Sequence, residues 1–67
     1  MRRLNKKQIN FIKAWFNKLW TEVGSVCTID QMSEPEQKQL QAMNDHETLW
    51  SNADRLINDL ALEEIYK

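Results

Sequence analysis

His46 is the one histidine of the 67 residues and Cys27 the one cysteine, so acid–base, nucleophilic or metal chemistry would have to be assembled around two side chains. Neither has the company it needs. A metal site requires several convergent ligands, and only Asp45 and Glu47 lie near His46 in sequence. At helical spacing His46 falls above Leu49, Trp50 and Ala53, which predicts a polar side chain closing one end of a core, hydrogen-bonded to backbone or to a carboxylate such as Asp45. A lone cysteine excludes an intramolecular disulfide and any multi-cysteine zinc site. With no neighbouring group placed to activate its thiol, Cys27 reads as a small buried or half-buried side chain. The carboxylate pairs Glu34/Glu36 and Glu63/Glu64 read as solvated helix ends. One glycine cannot build a phosphate-cradling loop, and no serine or cysteine has a base beside it. A helical domain this small also offers little concavity to exclude water from a reaction. The sequence therefore assigns no catalytic, cofactor-binding or metal-binding residue and predicts a protein that is not an enzyme.

What remains is binding chemistry, and it divides along the chain. Up to Thr21 there are six basic residues and no acidic one; from Glu22 on there are ten acidic and three basic, so halves of +6 and −7 hide inside a net charge of −1. Packed together, the halves should attract each other, and each can present its own field to a partner. Aromatic surface is the second asset. Phe11, Trp15 and Trp20 crowd one helix, and tryptophan is favoured at the energetic centres of protein interfaces. With the acidic side chains Glu34, Glu36, Asp45 and Glu47, they form the expected contact set for a protein partner; Asp54 and Asp59 add to an acidic field suited to a basic surface. The alternative is a nucleic acid, met by Lys6, Lys13 and the asparagines between them, with Arg2, Arg3 and Lys7 at the start of the helix. A membrane-surface helix would use the same basic and aromatic pattern, but would leave Leu49, Leu56 and Leu60 without a partner.

The element that positions most of these residues runs from Ile9 to Val23. At about 100° per residue, Ile9, Phe11, Ile12, Trp15, Phe16, Leu19, Trp20 and Val23 share one half of a helix, while Lys6, Lys7, Asn10, Lys13, Asn17, Lys18 and Thr21 share the other. Within the apolar half, Ile9, Ile12, Phe16, Leu19 and Val23 step by three and four as the seam for a second helix, with Trp15 and Trp20 on its two shoulders. Asn5 is the expected N-cap, and Gly24 can supply a left-handed stop, although Val26 and Cys27 continue the stripe. Residues 28 to 32 read as a connector. Ser33 then opens a second helix: it can accept from the Glu36 amide while the Glu36 carboxylate returns the bond, and Pro35 fits the first turn. Gln37 to Asn44 is polar, with Leu40, Ala42 and Met43 to bury. Helix propensity dips at Asn44, Asp45 and His46, where Asn44 and Glu47 could start a new helix. The last segment buries Leu49, Trp50, Ala53, Leu56, Ile57, Leu60 and Ala61 and leaves Leu62 and Ile65 off that face, suggesting a frayed end or contact with another chain.

Two short resemblances come from the same stretches. Lys7-Gln8, Glu36-Gln37 and Asn44-Asp45-His46 are similar to the two-helix Rop proteins, which would imply a dimer presenting its first helix to paired RNA loops. Ser33, Glu36 and Asp45-His46 with Arg55-Leu56 resemble the later helices of the Hha nucleoid modulators, which would imply docking onto a DNA-organising protein; that family's arginine after Asp-His is Glu47 here. Each covers fewer than half the residues, and no site residues follow from either.

The expected architecture is a single all-α domain over residues 1–67, a small three-helix bundle. Its alternative is a two-helix hairpin in which one long helix runs from Ser33 to about Glu64, and homodimerisation suits either. No apolar run approaches the ~20 residues that cross a bilayer, and no signal-peptide core follows Arg2 and Arg3, so a cytoplasmic protein without cofactors is expected. The function expected is that of a small regulatory or inhibitory accessory protein docking onto a larger protein, with nucleic-acid binding as the alternative.

Overall fold

A computed structural model describes residues 3–25 and 28–66, so the expectations placed on Arg2, Val26 and Cys27 lie outside the described residues. Three helices form: α1 (Lys6–Val23), α2 (Glu34–Met43) and α3 (Leu49–Ile65), with one short 3-10 turn, Ile29–Gln31, ahead of α2. The chain is a three-helix, all-α fold without strands among the described residues. The two-helix alternative fails at Asn44, whose extended backbone (φ −171°, ψ 96°) ends α2, and α3 does not begin until Leu49. Asn44 and Asp45 compete for backbone hydrogen bonds in non-helical conformations, which is why the break falls there.

Each boundary of α1 has a local cause. Asn5 accepts a hydrogen bond from the Gln8 amide at 2.8 Å, and Gln8 Oε1 accepts from the Asn5 amide at 3.1 Å, a reciprocal capping box. Gly24 ends the helix in the left-handed region (φ 73°), with its amide donating to the Trp20 carbonyl at 2.8 Å. Pro35 sits in the first turn of α2 as expected. Ser33 behaves differently from its expected cap: its hydroxyl donates to the Glu36 carboxylate at 2.6 Å and makes no bond to the helix backbone.

The core is built from Ile12, Trp15 and Phe16 of α1, Leu40 of α2, and Leu49, Ala53, Ile57 and Ala61 of α3, with Ile29 and Met32 from the connector. On α3 the four buried residues recur every fourth position, a stripe that alternates a large side chain with an alanine. Three expectations are corrected here. The segment 28–32 is not a mere connector, because Ile29 and Met32 are both buried. Val23 belongs to the α1 seam by phase, yet it lies at the last turn of the helix and is 57% exposed. Trp15 is no shoulder residue: it is 7% exposed and part of the core, whereas Trp20 is half-buried as expected.

Candidate functional site

The α1–α2 pair is fixed at one end by a fully buried glutamine. Gln8 Nε2 donates to the carbonyls of Leu40 and Asn44, both at 3.0 Å, and Asn5 Nδ2 reaches the Met43 carbonyl at 3.5 Å. The box that starts α1 therefore also satisfies carbonyls in the last turn of α2, which have no partner within their own helix. This clamp puts the end of α2 at the start of α1, so the two helices run in opposite directions and the start of α2 meets the later turns of α1.

There a half-open cleft of about 120 Å³ lies between the two helices, lined by Trp15, Lys18, Leu19 and Glu22 from α1 and Glu36 from α2. Trp15 and Leu19 supply its apolar wall, and Glu22 and Glu36 bring carboxylates from the two helices. The Ser33 hydroxyl holds the Glu36 carboxylate in place. Lys18 forms no ion pair with either carboxylate among the described residues, although it precedes Glu22 by one turn. That order of charges along a helix is the weaker one.

The other residues singled out from the sequence disperse. Phe11 is half-exposed one turn before Trp15 on the same side of α1. Trp20 stacks on Phe16, with ring centroids 5.3 Å apart and planes at 24°, away from the cleft. Glu34 is exposed and pairs with Lys38 at 3.6 Å, one turn along its own helix. Asp45 borders a shallow, open depression with Lys38, Gln41 and Ala42. Glu47 is exposed in the α2–α3 loop. Asp54, read as part of an acidic docking field, is exposed and also serves the fold: its Oδ1 accepts the Ile29 amide at 2.6 Å. Gln37 holds the same segment from the other side, donating to the Met32 carbonyl at 2.8 Å.

Arg3, Lys6, Lys7 and Lys13 are all exposed, and none forms an ion pair among the described residues. The expected attraction between the basic and acidic parts of the chain thus produces no direct bridge from these side chains. His46 does close one end of the core, 8% exposed, but its partner is the Thr48 hydroxyl, 3.1 Å from Nδ1, and not Asp45. Its Nε2 is buried without a hydrogen-bond partner. Among the described residues no group of three histidine, cysteine or carboxylate side chains is arranged to hold a metal ion, and no helix is long and apolar enough to cross a membrane.

Glu22 and Lys18 are the cleft residues that sequence reasoning did not single out, and Leu19 was read only as part of the apolar seam. Glu22 offered a signal, since it is the first carboxylate of the chain and lies two turns after Trp15 on α1. Gln8 offered one too, as the fourth residue of an Asn-x-x-Gln box. No family model, no curated protein and no solved structure matches this chain.

Proposed function

We propose that this chain is a non-enzymatic docking protein that engages a basic segment of a larger protein, using the α1–α2 cleft to receive an arginine or lysine side chain. The observation that carries this reading is the convergence of Trp15, Glu22 and Glu36 on one cleft. An incoming cationic side chain would lay its aliphatic stem along Leu19 and the edge of Trp15 and bring its charged head to carboxylates on two helices. Phe11, one turn before Trp15, extends the aromatic wall toward the clamped end of the helix pair. Arginine suits the site better than lysine, because its planar fork presents several donors to carboxylates that come from two helices. A protein built this way would act by occupying or recruiting its partner, with no chemical step.

Titration of isotopically labelled protein with a short arginine-rich peptide tests the reading. The indole N–H resonance of Trp15 should shift on addition, that of Trp50 should not, and Glu22→Gln with Glu36→Gln should weaken binding several-fold while leaving the fold unchanged. An unmoved Trp15 resonance at saturating peptide would overturn it. The same variants, immobilised beside the unaltered protein and exposed to nuclease-treated cell extract, should lose whatever partner the unaltered protein retains.

A further inference from the structure

We infer that the outward face of α1 is a second, separate interaction surface, and that it takes the phosphate backbone of a nucleic acid. At about 100° per residue, Lys6, Lys7 and Lys13 fall within an arc of about 120°, and Asn10 and Asn17 lie inside the same arc. Arg3 extends the positive charge beyond the start of the helix, and all of these side chains are exposed. The first carboxylate in the chain is Glu22, on the last turn of α1, so no acidic side chain interrupts the face from its own helix. None of the four cations is neutralised by an ion pair among the described residues. Of the carboxylates on neighbouring elements, Glu36 is turned to the cleft and held by Ser33, and Asp45 and Glu47, which follow the clamped end of α2, form no ion pair with these cations among the described residues.

The composition of the face selects the class of partner. It holds no exposed aromatic or branched aliphatic side chain, so it lacks the apolar anchor on which protein interfaces of this size depend. A lipid surface is disfavoured for a related reason. Ile12, Trp15 and Phe16, which a membrane-surface helix would insert between lipids, are buried against the rest of the fold. What is left is evenly spread positive charge with interleaved amide side chains that can donate to phosphate oxygens, and a regularly charged polyanion matches that pattern. Apart from Glu22 at the last turn of α1, the acidic residues lie on other elements, so contact is confined to one side of the molecule and does not wrap the nucleic acid.

Fluorescence anisotropy with a labelled mixed-sequence DNA duplex and a labelled single-stranded RNA, both at low salt, tests the proposal. Binding to at least one is expected, and with about four phosphates neutralised the affinity should fall roughly a hundred-fold between ~50 and ~200 mM salt. Lys6→Glu with Lys13→Glu should abolish binding. The first of these changes places a carboxylate at the positive end of the helix dipole, which favours the helix, so loss of binding with an unchanged circular dichroism spectrum reports the surface and not the fold. The milder Lys6→Gln with Lys13→Gln should weaken binding and flatten the salt dependence, and Lys38→Glu on α2 should change neither. Retention of neither nucleic acid at low salt would overturn the proposal. So would equal binding to anionic vesicles or to polyglutamate at matched charge, or an unaffected Lys6/Lys13 double variant. Because Glu22 and Glu36 lie outside this face, failure here leaves the cleft reading standing, and the reverse holds.

Discussion

Trp15 and Trp20 show how far five residues along one helix can separate two identical side chains in their consequences. Trp15 is 7% exposed and contributes both to the core and to the wall of the cleft, whereas Trp20 lies half-buried over Phe16. Truncating a buried tryptophan removes its transfer free energy and leaves a cavity, costing about 3–5 kcal/mol, which is a large share of the stability of a domain this small. Trp15→Ala should therefore lose most of its helical circular dichroism at room temperature, while Trp20→Ala should stay folded with a lower thermal midpoint. A Trp15→Ala protein that keeps its helical signal and melts like Trp20→Ala would show the ring to be a surface feature. The practical consequence is that the cleft has to be probed through Glu22 and Glu36, because removing its aromatic wall removes the fold.

At the scale of elements, α1 and α3 were legible because their apolar residues keep a 3.6-residue period over long windows, which few other arrangements of those side chains could bury. The start of α1 at Asn5 and its stop at Gly24 were legible for local reasons of cap chemistry, and the start of α2 from Pro35 in its first turn, although the backbone cap expected of Ser33 does not form. The segment 28–32 was not. Ile29 and Met32 have no periodic partners nearby, and the segment is held by hydrogen bonds to Asp54 on α3, 25 positions away, and to Gln37 in the next helix. The cleft was half legible: Trp15 and Glu36 stood out by type, but the register that brings Glu36 opposite Glu22 follows from Gln8 contacts across more than thirty positions. Asp54 gives this scale its test. Asp54→Ala strips the Ile29 amide of a charged acceptor, so the variant should lose about 1.5–3 kcal/mol. Amide exchange should accelerate first at Ile29 and in its neighbours, ahead of the helices. Uniform loss of protection along the chain would mean that the 3-10 turn is not held independently.

For the whole molecule, a Cα radius of gyration of 11.4 Å matches the roughly 11 Å expected of a compact domain of this length, as α1, α2 and α3 close over one core. Among the described residues, the large apolar side chains that remain exposed, Val23, Leu62 and Ile65, with Tyr66 beside them, lie in the last turns of α1 and α3. The opposite end is organised by the Gln8 amide, which reaches Leu40 and Asn44 only when both helices have formed and met. Such a bond between distant parts of the chain cannot reward the early steps of folding, since the loop between them must close first. Gln8→Ala should accordingly leave the refolding limb of a denaturant chevron nearly unchanged and speed the unfolding limb, giving a φ-value near zero. A slowed refolding limb would place the clamp in the nucleus. If its closure is late, this glutamine is a latch: it sets how long the native state lasts once reached, and so how long Glu22 and Glu36 at the far end stay in the register that the proposed docking of a cation requires.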